Sequence, residues 1–558
     1  MLFFAFFPSR RSPEKIPIFL FLLFCLLMAP AEGKSQQVFT GFADPGVESL
    51  LDELASEKVI HLNSVSKPYS RTQVASWLQE ASRCDSLLTG RQKKEISLYL
   101  KNFSQELYCL EYPSRDDQTG NRKAGFRLPF NPVSAILKYR YFSISARPLI
   151  GFRQIVNGND AVSQISLGIG TIVYAGRHLG LLAGIYRQTD TEILSDPVYL
   201  TPDPGGKWNR YSTGGGDFGE WFGQVNWSWK WGMIGIFKDR FQWGESYHGS
   251  NIFSGRNPSF PGIRVKVSPV RWLEFEYFHG WLSSADVESF RSETDTLETE
   301  ILSVKRCIAA NLLTVRPWKY LNISLGNSIV YDGGVQPAYL IPVLFYKSVD
   351  HTLSNGKGNQ NSQMFLSIDS RQIRHLNLYL TLFIDEFKIS RIWDKEENNF
   401  LSWKTGLKLS NLPVRNLSLT LEGTRTIPLT YRHYIPSIGF ESDGYNLGHY
   451  LRDNSQELYI SVGYRPLRGF GITLSWQFAQ KGKEYPYSKD PDPTRYPVLK
   501  EIIWESQKLD VRVEYSLVSN VMVSLAYEFR STTGEADLTP AVFRGTTHSL
   551  VGCVRIGF

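Results

Sequence analysis

From about residue 134 to the end of the chain, apolar and polar residues alternate with a period of two. In 401–410, leucine, tryptophan and threonine alternate with serine, lysine and glycine, and the segments 470–478, 509–517 and 521–529 repeat the pattern. Successive side chains of a strand point to opposite faces, so this pattern predicts many strands with one apolar and one polar face.

A soluble β-sandwich also alternates, so strand length and aromatic placement decide between the two architectures. The alternating runs are about 9 to 13 residues long, which suits tilted strands that cross a bilayer. Trp476, Phe478, Tyr527 and Phe529 lie near strand ends, as in the aromatic girdles of outer-membrane barrels. The terminal Phe558 also resembles the C-terminal signal of such barrels. We therefore expect an all-β transmembrane barrel.

The lengths of the connections predict the number of strands, because outer-membrane barrels alternate short periplasmic turns with long external loops. Short turns are predicted near 177, 232, 269–270, 317–318, 372–375, 411–413, 467–468 and 518–520. Longer connections are predicted at 156–162, 189–219, 244–260, 284–300, 332–361, 389–399, 426–454, 481–503 and 531–546. Nine hairpins give about 18 antiparallel strands beginning near Ala146, with 134–142 left over as a lead-in or a partial strand.

The polar face of such a barrel would line its lumen. It carries charges of both signs, namely Lys404, Lys408, Asp510, Arg512, Glu514, Glu528 and Arg555. Two interiors fit this mixture, a conductive pore and a salt-bridged, plugged lumen, and the pattern does not separate them.

The N-terminus has the features of an export signal. Arg10, Arg11 and Lys15 precede an apolar stretch over 16–28, and Ala29-Pro30-Ala31 places small residues at a cleavage site. We interpret 1–31 as a cleaved signal peptide; the alternative is a short membrane anchor. Beyond residue 31 there is no run of about 18 apolar residues, as a membrane-spanning helix would need.

Residues 32–125 precede the alternating region and have helical periodicity. Apolar stripes occur at Val47–Leu54, at Val74–Leu78 behind a predicted N-cap at Ser70, and at Ile96–Leu107. The polar segment 113–123 is the predicted linker. We therefore expect a small N-terminal α-helical periplasmic bundle over 32–125 and an outer-membrane β-barrel over 126–558.

Composition agrees with an exported, folded protein that does not bind nucleic acid. Aromatic residues make up 14% of the chain, too many for a disordered protein. Removal of 1–31 leaves 58 basic and 53 acidic residues, a net charge of +5 with no basic block. In an oxidising compartment, Cys84 and Cys109 could form a disulfide or remain separate thiols.

Four tracts of the chain resemble the Wzi family of outer-membrane capsule-assembly proteins. The first contains Leu50, Leu51, Leu54 and 67–71, and the second contains 235–240, Trp243, Gly244, Ser254, Phe260 and Pro261. The third contains 342–346, His351 and 382–387, and the fourth contains Tyr431, His433, Tyr434, Gly448 and His449. The resemblance implies a periplasmic helical bundle, an 18-stranded barrel and a role in holding capsular polysaccharide at the cell surface.

The connection 426–454 combines aromatic and polar residues that suit carbohydrate. Sugar rings stack on aromatic faces, their hydroxyls need polar partners, and arginine suits acidic sugars. The candidate polysaccharide-binding residues are Tyr431, Arg432, His433, Tyr434, Tyr445, His449, Tyr450, Arg452 and Asp453. Packing within the loop is the alternative role for these residues.

A second group, Asp239, Arg240 and Trp243, fits a buried ion pair beside an aromatic ring that holds a loop inside the lumen. Contact with a ligand is the alternative. No G-x-S-x-G, H-E-x-x-H or P-loop pattern occurs, so we expect no enzyme, no metal and no cofactor.

The leading hypothesis is a lectin-like outer-membrane barrel that attaches or assembles capsular or extracellular polysaccharide. Its expected partners are the polysaccharide, outer-membrane lipid and a component of the periplasmic export machinery. The competing hypotheses are a porin-like channel for solutes and an enzyme that acts on lipid or glycan.

Overall fold

The computed structural model describes residues 36–39, 45–62, 64–111, 125–139, 142–158, 160–283, 306–353, 360–392, 399–486 and 496–558. The predicted signal peptide and the predicted linker lie outside the described residues. None of the helices within these ranges combines the length and the apolar character needed to cross a membrane.

A closed antiparallel barrel of 18 strands dominates the molecule, as the connection lengths predicted. The strands are β1 Phe142–Asn157, β2 Asp160–Ala175, β3 Leu179–Asp190, β4 Gly216–Trp229, β5 Gly232–Asp239, β6 Phe260–Val270, β7 Leu273–Leu282, β8 Arg306–Val315, β9 Leu321–Tyr331, β10 Asn361–Ser370, β11 Leu376–Glu386, β12 Phe400–Ser410, β13 Leu417–Thr426, β14 Ser455–Leu467, β15 Phe470–Gly482, β16 Ile502–Val518, β17 Val521–Gly534 and β18 Gly545–Ile556. The barrel closes where β18 pairs with β1, from Ser549 opposite Asn157 to Ile556 opposite Ile150.

The leftover segment before the first strand is a partial strand of the wall. Ala135–Tyr139 pairs with the first residues of β1, which precede those that pair with β18. Gly125–Arg127 pairs in turn with Ala135–Tyr139. The first strand begins at Phe142 rather than near Ala146, because these short segments continue the sheet toward the end with short turns.

The outer face of the wall exposes large apolar side chains. Leu167, Trp221, Trp227, Leu325 and Leu525 each keep more than half of their surface accessible. Their strand neighbours, such as Ser166, Glu220 and Ser324, point into the lumen. An outward apolar band of this kind is what a barrel needs in order to contact hydrocarbon.

The predicted helical region contains α1 Pro45–Ser56, α2 Arg71–Arg83, α3 Gly90–Asn102 and α4 Ser104–Glu111. Ser70 is the N-cap of α2, as predicted, and its Oγ accepts a hydrogen bond from the Gln73 N–H at 3.2 Å. The third apolar stripe is divided between α3 and α4. Cys84 is a free thiol.

This helical bundle (residues 45–111) closes the barrel at the end that carries the short turns. The His375 N–H donates to the Ser56 carbonyl at 2.7 Å, and Arg91 Nε donates to Asn416 Oδ1 at 2.8 Å. His375 and Asn416 belong to two of the short turns, which places the bundle across the mouth of the barrel.

The connection after β9 folds back over the outside of the wall as an outer strap (residues 336–353), which includes the helix α5 Tyr346–Leu353. Tyr339 and Tyr346 pack against outward-facing Tyr277 and Tyr331. The strap also satisfies two outward-facing amides: Asn311 Nδ2 donates to the carbonyls of Pro342 and Leu344 at 2.8 and 3.0 Å, and Asn327 Oδ1 accepts from the Tyr346 N–H at 3.0 Å.

Asn311→Leu is expected to loosen the outer strap, because the Pro342 carbonyl loses its donor and the Leu344 carbonyl keeps only the 3.5 Å hydrogen bond from Asn327. An unsatisfied buried polar group costs about 1–3 kcal/mol. Limited proteolysis of the detergent-solubilised protein should then cut within 336–353 faster than in the wild type. Leu313→Ala, on the same face of the same strand, is the control, and equal cleavage rates for Asn311→Leu and the wild type would contradict this role of Asn311.

Candidate functional site

The connection between β5 and β6 turns into the barrel as an inward loop (residues 240–259). The N–H groups of Tyr247 and His248 donate to the Glu422 carboxylate on β13 at 2.8 and 2.7 Å, and Lys404 Nζ donates to the His248 carbonyl at 2.7 Å. β13 lies eight strands away from β5 in a barrel of 18, so the loop crosses the lumen to the far wall.

Aromatic side chains pack around this loop inside the barrel. Trp243 is fully buried, with ring centroids 5.1 Å from Phe253, 5.3 Å from Phe278 and 6.2 Å from Phe365. Phe278 and Phe365 come from strands β7 and β10. The inner face is therefore apolar on this side of the lumen, where the sequence pattern had drawn attention only to charged positions.

Several charged positions on the inner face form ion pairs. Lys404 lies 3.4 Å from Glu422, and Lys408 lies 3.3 Å from Asp52 of α1. Burial by itself would raise the pKa of Asp52, but Lys408 and further cations lower it. These pairs are typical of the salt-bridged interior, one of the two that the sequence allowed.

Arg371 joins three separate parts of the molecule in this network. Its guanidinium lies 2.5 Å from Asp369 of β10, 3.3 Å from Asp52 of the helical bundle and 3.3 Å from Glu245 of the inward loop. All four side chains are buried. The wall, the bundle and the loop are thus held at one point.

The structure places Asp239, Arg240 and Trp243 at the start of the inward loop. The Arg240 guanidinium pairs with Glu220 of β4 at 3.5 Å and donates to the Gly205 carbonyl, whereas Asp239 accepts the Arg240 backbone N–H at 2.8 Å. The acid that pairs with Arg240 thus comes from the neighbouring strand. This geometry fits the loop-holding role.

A cavity of about 290 Å³ lies at the end of the barrel that carries the long connections, and we name it the loop cavity. Its volume is at the lower end of the range for ligand-binding pockets, about 300 Å³. Five of the nine predicted polysaccharide-binding residues line it: Tyr431, Arg432, His433, Arg452 and Asp453. The other lining residues are Pro436, Gly439, Phe440, Glu441, Gly444, Asn446 and Glu484.

Two arginines face one carboxylate in the loop cavity. Arg432 Nη1 lies 3.6 Å from Glu484 Oε2, and Arg452 Nη1 lies 3.8 Å from Glu484 Oε1. Glu484 and Arg432 are partly exposed, with side-chain exposures of 41% and 37%. These distances exceed hydrogen-bond length, so the arginine pair (Arg432 and Arg452) retains donors for another acceptor.

Buried groups fix the floor of the loop cavity. Tyr431 donates its hydroxyl to the Asn251 carbonyl of the inward loop at 2.7 Å. Asp453 lies 2.8 Å from Lys481 Nζ and accepts the Leu429 N–H at 2.9 Å. Burial would raise the pKa of Asp453, but Lys481 and these bonds hold it below its usual value, so this carboxylate stays charged.

His433 and Tyr434 lie side by side, with ring centroids 4.4 Å apart. His433 lines the loop cavity, and burial lowers its pKa to about 4, so its ring is neutral at pH 7. Tyr434 is half-buried next to the lining residues. A neutral imidazole and an adjacent phenol offer the apolar faces and polar edges that sugar rings contact.

The remaining three candidates, Tyr445, His449 and Tyr450, are fully buried. Tyr445 donates to the Ser195 carbonyl at 2.8 Å, and His449 and Tyr450 both hydrogen-bond to Glu457 of β14. In this structure they join loops to the wall and do not line the loop cavity.

Glu484 and Glu441 are lining residues that the sequence did not single out. Glu484 lies on the connection 483–501, separate from the one that carries the other polar residues. The sequence has no signal that links the two connections, because their contact depends on the pairing of β14 and β15.

Comparisons with known proteins identify the fold. No family model matches the sequence, and no curated protein matches it. The Escherichia coli protein Wzi, described as an outer-membrane, carbohydrate-binding β-barrel involved in group 1 capsule assembly, matches with a TM-score of 0.56 and 12% identity, over 94% of this chain and 100% of Wzi.

Two porin-like barrels match over 74% of this chain. OccD3 of Pseudomonas aeruginosa has a TM-score of 0.40, 10% identity and 90% of its own length covered. OccAB3 of Acinetobacter baumannii has a TM-score of 0.42, 9% identity and 99% of its length covered. The sequence resemblance and the structural similarity agree, and the chain has a Wzi-like fold.

Proposed function

We propose that this protein is a non-enzymatic outer-membrane barrel that binds capsular or extracellular polysaccharide at the cell surface. The observation that carries the proposal is the loop cavity, which combines arginine, imidazole and tyrosine groups at the long-connection end of a filled barrel. In outer-membrane barrels, the long connections face the cell exterior.

The chemistry of the loop cavity suits an acidic polysaccharide. The arginine pair can donate charge-assisted hydrogen bonds to a carboxylate, and it already faces the exposed Glu484 carboxylate. Glu441, whose side chain is partly exposed, supplies a carboxylate for sugar hydroxyls. The similar fold of Wzi, whose description names carbohydrate binding, supports the same proposal.

A porin-like channel is the second candidate, and the inward loop argues against it. The loop crosses the lumen, and the helical bundle covers the opposite mouth. A channel for solutes needs a continuous polar passage, so purified protein in planar bilayers should show no steady current if our proposal holds. A stable open conductance would favour the channel.

The double variant Arg432→Gln/Arg452→Gln is expected to weaken binding of a uronate-containing oligosaccharide by at least tenfold. Each lost charge-assisted hydrogen bond is worth about 1.5–3 kcal/mol, and 1.4 kcal/mol corresponds to a factor of ten. Isothermal titration calorimetry of the detergent-solubilised protein measures the change. Lys483→Gln, an exposed cation near the cavity that is not among its lining residues, is the control.

The same variants test the role in cells. A strain that lacks the protein should release polysaccharide into the medium, and the wild type and Lys483→Gln should restore retention better than the double variant. Normal retention of cell-associated polymer in the deletion strain would overturn the proposed function.

A further inference from the structure

A second and smaller cavity, of about 90 Å³, lies inside the lumen, and we name it the lumen cavity. Most of its wall comes from the inward loop. The lining residues are Pro202, Gln242, Ser246, Tyr247, Gly249, Ser250, Ser254, Arg256 and Tyr450. None of these residues lines the loop cavity, so the two spaces are distinct.

Arg256 is the one cationic residue among those that line the lumen cavity, and it is 2% exposed. Its Nη2 atom donates to the carbonyls of Asp196 and Tyr199 at 3.0 and 2.6 Å, and its guanidinium lies over the Tyr445 ring at 5.1 Å. The Nε and Nη1 atoms are buried and have no hydrogen-bond partner. Two separate N–H-bearing atoms of a buried guanidinium, which point to different sides of it, are therefore unsatisfied.

The charge of Arg256 is also uncompensated among the described residues. The nearby acids are taken by other cations, since Asp196 pairs with Arg210 and Asp203 pairs with Arg153. Burial and the neighbouring Arg452 lower the pKa of Arg256 to about 10, which still leaves it charged at pH 7. A buried charge without an ion-pair partner is costly, so an anion at one of the free N–H groups would be stabilised.

The lumen cavity offers a second unsatisfied group, the hydroxyl of Ser246, which is buried and has no partner. A hydroxyl can donate to an anion alongside a guanidinium. The size of the space limits the ligand. A cavity of about 150 Å³ holds one benzene ring, so 90 Å³ is too small for a whole sugar ring.

We propose that the lumen cavity is a binding site for a small monoanion, a halide or a carboxylate the size of acetate, held by a free N–H group of Arg256 and the Ser246 hydroxyl. The anion supplies the missing counter-charge for Arg256. It thereby stabilises the inward loop that fills the lumen. The site is independent of polysaccharide binding in the loop cavity.

Bromide is the probe for this site. In crystals of the full-length protein soaked in sodium bromide, we expect an anomalous peak at hydrogen-bond distance from either Nε or Nη1 of Arg256. The melting temperature of the detergent-solubilised protein should rise saturably when bromide replaces gluconate, which is too large for the cavity, at constant ionic strength.

Two variants and one control make the test decisive. Arg256→Gln, which removes the charge, and Ser246→Val, which removes the hydroxyl and narrows the cavity, should each abolish the bromide-dependent rise. Lys207→Gln, which removes an exposed cation from the connection between β3 and β4, should retain it. A wild type with only water at Arg256 and no saturable rise would overturn the proposal, as would an unchanged rise in Arg256→Gln or Ser246→Val.

Discussion

Arg371→Gln is expected to lower the free energy of unfolding by about 3–5 kcal/mol and to let ions through the barrel. The substitution leaves the carboxylates of Asp52, Glu245 and Asp369 buried without their shared cation. Removing one partner of a buried ion pair has a cost of this size, because the remaining charge cannot be solvated. The repelling carboxylates belong to the helical bundle, the inward loop and the wall, so all three should separate.

Two measurements check this result. Urea unfolding in detergent micelles, followed by circular dichroism, gives the loss of stability, and planar-bilayer recording gives the conductance. Arg374→Gln is the matched control, because Arg374 lies in the same short turn and is exposed. If Arg371→Gln unfolds like the control and remains electrically silent, the three-way junction does not hold the interior in place.

Trp243→Ala is expected to cost about 3–5 kcal/mol of stability, the usual range for removing a large aromatic side chain from a core. The ring has no accessible surface and contacts aromatic rings from the inward loop and two strands. Neither lipid nor bulk water can fill the resulting space without disturbing the loop. The loss should appear in the same unfolding assay, with a lower melting temperature.

Trp318→Ala is the comparison for this substitution, since Trp318 lies in a short turn and is 66% exposed. We expect a much smaller loss there. Equal losses for the two variants would mean that Trp243 is not part of a lumen core. Because Tyr431 of the loop cavity donates to Asn251 of the inward loop, Trp243→Ala should also weaken polysaccharide binding.

The hydrogen bond from Tyr431 to Asn251 connects the loop cavity to the inward loop. The Ser254 N–H also donates to the Leu447 carbonyl at 2.8 Å, so the inward loop supports the connection that forms the loop cavity. A surface site built on a packed lumen can stay rigid without a closed external lid. The packed inward loop also opposes a passage for solutes, so it favours polysaccharide retention over a channel.

Local pattern was sufficient to predict the wall of the barrel. Alternation with a period of two sets which side chains face outward, and connection length distinguishes the two ends of the barrel. From these, the sequence predicted 18 strands, the short segment before β1 and the N-cap at Ser70, all of which the structure contains. Each of these features depends on residues that are neighbours in the chain or on adjacent strands.

The interior and the candidate site depended on contacts between distant parts of the chain. The sequence placed Arg432 and Arg452 on one connection, but their shared partner Glu484 comes from another, and Arg371 meets Asp52 across more than 300 positions. Alternation identifies the inward face of a strand, yet it does not say what that face will touch. Only the closure of the barrel around the inward loop brings these groups together, because the enclosed space must be filled and its charges paired.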